Sequence, residues 1–267
     1  AFSENYVLPM SHDEVVHMKG SVFGKMPGDA WLKFAGVRGF YAYMLAHPGK
    51  KLSFMGVELG TEEEWAFYKA LNWSLLEQPD NAKLHQCIKD LNHFYLNQSA
   101  LWEIDFDWQG FEWLVSDDNS NNVVVFLRRD KAGKTLACAV NFSPNTYEDY
   151  RFGCPPFREF AEVFNTDAEQ YGGTGVTNPQ PAKVSWKASH GKESSVSIRI
   201  PPMGAVFLEG RGKLRAKPKP RTTKKADTKK AAPAAGSGAE KKEPAQKMEQ
   251  PAASAVKKTT KKRGTSK

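Results

Sequence analysis

Cysteine is scarce in this chain of 267 residues: Cys87, Cys138 and Cys154 are the only three. A low, odd count at wide spacing excludes a disulfide framework and fits a reducing compartment such as the cytoplasm. Each thiol is expected in the core as a small apolar side chain. Long apolar runs are lacking too. No stretch approaches the roughly 18 residues a membrane span needs, so no membrane partner is expected. The chain opens at Ala1, and no charged segment leads into an apolar one, so no secretory signal is expected. From residue 211 onward there is no aromatic residue at all. Such a stretch cannot bury enough apolar surface to offset the entropy of ordering, and 211–267 is expected to be a disordered Lys/Ala/Pro-rich tail.

The net charge of +8 misleads when read whole. Residues 211–267 hold 19 Lys or Arg against 4 Asp or Glu, while residues 1–210 hold 19 basic and 26 acidic side chains. The body is mildly acidic and a basic tail follows it. Neither half reads as a domain for specific nucleic-acid recognition, and the tail suits salt-sensitive contact with acidic partners.

Two familiar motifs are missed narrowly. A zinc-protease helix needs two His four residues apart with Glu after the first, whereas His12 and His17 are five apart and Asp13 follows His12. Gly20-Ser21-Val22-Phe23-Gly24-Lys25-Met26 is one residue short of a phosphate loop and ends without a hydroxyl for Mg²⁺. No cofactor or metal is called for.

What is present begins with Tyr6-Val7-Leu8, an apolar run ending in the polar cluster Ser11-His12-Asp13-Glu14. A buried strand delivering side chains to an active-site rim has this pattern, and so does a loop with exposed charges. Residues 5–10 are expected as a strand and 19–29 as a loop, with Asp29 capping a helix through about residue 45. Leu52-Ser53-Phe54-Met55 is expected as a second buried strand, which places Glu58 just past its end, either functional or a helix cap. Leu84, Cys87, Ile88, Leu91 and Phe94 are spaced for an amphipathic helix over 83–96. From residue 105 the pattern changes to short strands at 111–115, 123–128, 135–142, 160–164, 194–199 and 205–209. Polar turns separate them, as in an antiparallel sandwich.

Three segments follow: 1–104, an α/β part; 105–210, an all-β part; and 211–267, the tail. Two strand–helix repeats cannot make a covered parallel sheet. The first segment is therefore expected to be the last part of a (β/α)₈ barrel.

Residues 2–60 closely resemble the late barrel segment of bacterial 1,4-alpha-glucan (glycogen) branching enzymes in the alpha-amylase superfamily. The matching words are Phe2-Ser3-Glu4-Asn5, Leu8 through His17, Lys19-Gly20-Ser21, Gly24 through Asp29, Ala46 through Leu52, and Phe54-Met55-Gly56. The likeness continues through Glu64-Trp65, Asn72-Trp73, Asp90-Leu91-Asn92 and Gly110-Phe111-Glu112-Trp113, to about residue 209. The basic tail takes no part. Met18 stands where that family usually has Gly, Leu59 replaces a usual Phe, and Thr61 a usual Gln.

The resemblance implies that Asp13 is the transition-state-stabilising carboxylate and that His12 binds hydroxyls of the same glucose. It implies that the nucleophile and the general acid lie outside this chain. Glu58, Trp65 and His17 are candidates to line the cleft. The implied reaction moves an alpha-1,4 glucan chain to a 6-hydroxyl with retention, in glycogen biosynthesis, without a cofactor, in a monomer. A glucan hydrolase of the same superfamily and a non-catalytic glucan-binding fragment are the alternatives. The chain alone, without two of three carboxylates, is expected to be inactive.

Overall fold

The computed structural model describes residues 11–213 and Ala216. The strand expected at 5–10 and nearly all of the tail lie outside the described residues. From Ser11 the described residues form helices and irregular segments, and they turn to strands at Phe111. Helix α1 (Val22–Lys25) is a single turn started by Ser21, whose Oγ accepts from the Gly24 N–H. It lies inside the stretch expected to be all loop; three Gly masked a local cap.

Helix α2 (Ala30–Ala46) begins where expected. The Asp29 carboxylate accepts from the Leu32 N–H at 2.9 Å, which satisfies one donor of the open first turn. Helix α3 (Pro79–Asn97) starts with Pro79, a residue suited to the first turn, and buries Leu84, Cys87, Ile88 and Leu91 on one face.

The strand expected at Leu52-Ser53-Phe54-Met55 does not form. A strand needs a ladder partner, and none stands beside it among the described residues. Glu58 is consequently not at a strand end. It sits inside a single 3₁₀ turn, Val57–Leu59, entered through Gly56 at φ 88°, so it does not cap that turn either.

Eight strands follow: β1 (Phe111–Asp118), β2 (Val123–Arg129), β3 (Thr135–Asn141), β4 (Tyr147–Cys154), β5 (Phe157–Asn165), β6 (Ala182–Lys183), β7 (Ser194–Ile200) and β8 (Ala205–Lys213). Six of them form one sheet in the order β1-β2-β3-β8-β5-β6, and β4 pairs with β7 as a separate ribbon; every pairing is antiparallel. β4 was not expected, although Tyr150, Phe152 and Cys154 alternate inward. β8 runs to Lys213, past the point where disorder was expected.

The centre of the large sheet is covered on both faces. Phe126, Cys138 and Phe207 are in register on β2, β3 and β8 and share a core with α2 and α3. Leu127, Ala137 and Leu208, one residue away on each strand, share the opposite core with Phe152, Val196 and Ile198 of the ribbon. Double coverage explains why these strands read as continuous apolar runs rather than as alternation. The architecture is mixed α/β with an antiparallel β-domain, and no closed barrel is present among the described residues.

Arg128 ties the helical part to the sheet. Its side chain is completely buried and donates to the carbonyls of Ala46 at 2.6 Å, Leu101 at 2.9 Å and Gly110 at 3.3 Å, and to Asp105 Oδ1 at 2.7 Å. Asp105 Oδ2 in turn accepts from the Gly49 N–H at 3.1 Å. One planar fork thereby satisfies carbonyls from three separate segments. All three cysteines are free and buried, and burial pushes each thiol up to about 12.

Candidate functional site

His12, Asp13 and Glu14 form a 3₁₀ turn capped by Ser11, whose Oγ accepts from the Asp13 N–H and donates to Asp13 Oδ2, both at 3.3 Å. The turn presents all three side chains outward. Asp13 is 70% exposed, and its Oδ1 lies 3.3 Å from His12 Nε2. One face of His12 meets aromatic rings: Phe54 at 6.0 Å and Trp65 at 6.4 Å between centroids, with Phe54 and Trp65 edge-to-face at 5.1 Å. An imidazole braced on its apolar side, with Nε2 facing the Asp13 carboxylate, leaves Nδ1 for a hydroxyl group, and the carboxylate offers acceptors only.

Four contacts hold the loop that carries this turn. Lys19 Nζ donates to the Asp13 carbonyl at 2.6 Å, and Lys25 Nζ donates to that of Glu14. The Trp65 N–H bonds to the Val15 carbonyl at 3.0 Å, and the Gly20 N–H to Glu64 Oε1 at 2.7 Å. Val15 is buried beneath the turn and roots it in the helical core.

The structure thus brings together His12, Asp13 and Trp65 of the expected set. His17 is exposed at φ 58°, on the stretch between the two backbone grips. Glu58 is half-buried and makes no hydrogen bond or ion pair among the described residues. Phe54 and Glu64 were not singled out. Phe54 was hidden in an apolar tetrapeptide, and Glu64 in a run of three Glu whose members differ only in where the fold aims them.

A cavity of about 410 Å³ opens behind the loop, walled by Val15, Phe23, Phe34, Glu64, Trp65 and Leu71 among others. His12, Asp13, His17 and Glu58 do not line it. Its wall is mixed, with Ser21, Thr61, Glu62, Lys69 and Asn81 among the apolar side chains, but it holds none of the four residues just named. The exposed Asp13 turn is therefore the candidate site. Among the described residues no helix is long and apolar enough to cross a membrane, and no cluster of three or more His, Cys, Asp or Glu is arranged to hold a metal.

Comparison with known proteins covers most of the chain. Residues 113–211 match the family model described as the alpha amylase C-terminal all-beta domain. The 1,4-alpha-glucan branching enzyme of Aquifex aeolicus is 47% identical over 216 residues, covering 79% of this chain and 34% of that protein. The enzyme of the same name from Halothermothrix orenii is 45% identical over 212 residues, covering 78% of this chain and 33% of that one. Among solved structures, an alpha-amylase from H. orenii aligns at 14% identity with a TM-score of 0.48, over 76% of this chain and 39% of that one, too little to argue from. The chain spans about a third of the length of the curated relatives it matches.

Proposed function

Because the chain belongs to the bacterial 1,4-alpha-glucan branching enzyme family over 79% of its length, we propose that it is part of an enzyme of that activity. Such an enzyme cleaves an alpha-1,4 glucan chain and transfers it to a glucan 6-hydroxyl, making an alpha-1,6 branch. In this reading residues 1–104 are the last strands and helices of a (β/α)₈ barrel, 105–210 its C-terminal β-domain, and 211–267 an appended tail that meets acidic partners. The protein works as a cytoplasmic monomer on glycogen or linear glucan.

The observation that carries the proposal is the Asp13 turn: an exposed carboxylate on a fixed 3₁₀ turn, beside a histidine braced by aromatic rings. Retaining transfer passes through a transition state resembling an oxocarbenium ion and needs a nucleophile and a general acid about 5–5.5 Å apart. In the proposal those two carboxyl groups come from parts of the enzyme outside this chain. Asp13 accepts hydrogen bonds from sugar hydroxyls that strengthen as the ring gains positive character, and its charge favours that state over the ground state. His12 holds a hydroxyl of the same sugar. Trp65 offers an apolar face beside them; Glu58 and His17 stand at the edge of the cleft.

The test is Asp13→Asn in the intact enzyme. Asn keeps the shape and one acceptor, so the fold and much of the glucan binding should survive. The branching rate on a linear alpha-1,4 glucan should fall by about 10²–10³, as on removing one transition-state hydrogen bond. A folded variant keeping more than about a tenth of the parental rate would defeat the assignment. Reducing-end release without new branches in the parent enzyme would instead favour the hydrolase reading.

A further inference from the structure

We propose that Glu64 is a positioning residue for the Asp13 turn, acting through the backbone of Gly20; this rests on the reading of Asp13 given above. The loop from Ser11 to Lys25 belongs to no sheet among the described residues; Val15, Val22 and Phe23 seat it in the helical core, and four polar grips set how its backbone lies there. Two of the four grips are Lys19 and Lys25, exposed ammonium groups on carbonyls of the loop's own turn. They tie the loop to itself and cannot fix it against the rest of the molecule. The other two come from one dipeptide more than forty residues away, Glu64-Trp65.

The Trp65 N–H takes the Val15 carbonyl, and the Glu64 carboxylate takes the Gly20 N–H. The gripped points bracket the chain from Val16 to Lys19, where His17 and Met18 both hold positive φ, 58° and 64°. Non-glycine residues hold that conformation only when their surroundings determine it. Gly20 itself is at φ 74°, and its N–H meets the Glu64 carboxylate. The Trp65 ring also lies against His12. One dipeptide therefore holds the loop's backbone at Val15 and Gly20 and, together with Phe54, sets the lean of the imidazole. Glu64 is half-buried at the wall of the cavity behind the loop, and the Gly20 N–H engages its carboxylate. Reactive geometry tolerates errors of only about 0.5 Å, so releasing one end of the bracket should misplace Asp13 without unfolding the protein.

The role is that of a hydrogen-bond acceptor rather than a charge, and this makes it testable in the intact enzyme. Glu64→Ala should lower kcat by about 10- to 100-fold, the scale of a small misplacement, with KM for linear glucan nearly unchanged. Glu64→Gln keeps an oxygen for the Gly20 N–H and should retain most of the rate. Hydrogen exchange supplies a readout that does not depend on catalysis: exchange across residues 11–20 should speed at least about tenfold in Glu64→Ala and stay near parental in Glu64→Gln, a local opening rather than a global one. Faster exchange with an unchanged rate would overturn the positioning role, as would unchanged exchange. Equal loss in both variants would instead assign Glu64's charge to the substrate. A general fall in thermal midpoint matching the loss of rate would reduce the residue to a structural one. If Asp13→Asn stays active while the exchange results hold, the reading of Asp13 fails and the bracket stands.

Discussion

Replacing Arg128 by Met should remove a large share of this chain's stability. The guanidinium is fully buried and makes four hydrogen bonds, one of them to a carboxylate that is only 9% exposed. Met fills similar volume and restores apolar contact, so the cavity contribution is small. What remains is an Asp105 charge with the Gly49 N–H and the part-buried Lys51 ammonium as its neighbours, and three carbonyls without their donors. Breaking a buried pair from one side costs about 3–5 kcal/mol, a third or more of a typical domain's stability. Adding Asp105→Asn removes the orphaned charge while keeping an acceptor for the Gly49 N–H. The double variant should recover about 1–2 kcal/mol, and the stranded carbonyls account for the rest. Urea unfolding of the chain, followed by circular dichroism and tryptophan fluorescence, reads both numbers. A loss below about 1 kcal/mol for Arg128→Met would refute the reasoning, because exposed pairs are worth that little. A double variant no more stable than the single one would refute the orphan-charge account.

Burial holds the Lys51 ammonium down at about 8, against the partial opposition of Asp105. The unfolded chain therefore binds the Lys51 proton more tightly between about pH 8 and 10.5, and this group's contribution to stability rises with pH across that window. The three buried thiols, pushed up to about 12, act in the opposite sense above about pH 9. Comparison with Lys51→Met isolates the lysine: parental stability should gain about 1–2 kcal/mol on the variant between pH 7.5 and 10, after allowing for partial exposure, and a flat difference would refute it. Gly39→Ala should destabilise by about 1–3 kcal/mol in denaturant unfolding, because a Cβ there would lie 2.6 Å from the Met203 carbonyl oxygen. Met18→Gly should raise stability by about 1 kcal/mol, since Met18 is 96% exposed and sits at φ 64°, where only glycine is free of strain. A thermal midpoint unmoved or lowered in Met18→Gly would count against that.

Elements governed by neighbours in sequence were legible in advance. Asp29 as the cap of α2, the buried face of α3 and most strands of the β-domain follow from local propensity and period, and the strong word match carried the family. The same information singled out the His12-Asp13 pair as a candidate and flagged Met18 as unusual; its φ supplies the physical reason glycine suits that place. Whatever depended on a distant partner was not legible. Leu52–Met55 has the composition of a strand but pairs with nothing among the described residues. Gly39 lies mid-helix, where propensity alone favours Ala by about 1 kcal/mol, yet the Met203 backbone has taken the space. Glu62, Glu63 and Glu64 are alike in sequence, and only the fold turns the third toward Gly20. Local rules act over a few bonds of chain, whereas a hydrogen bond spanning 44 residues, or a carbonyl pressed against a helix, exists only once the chain has closed on itself.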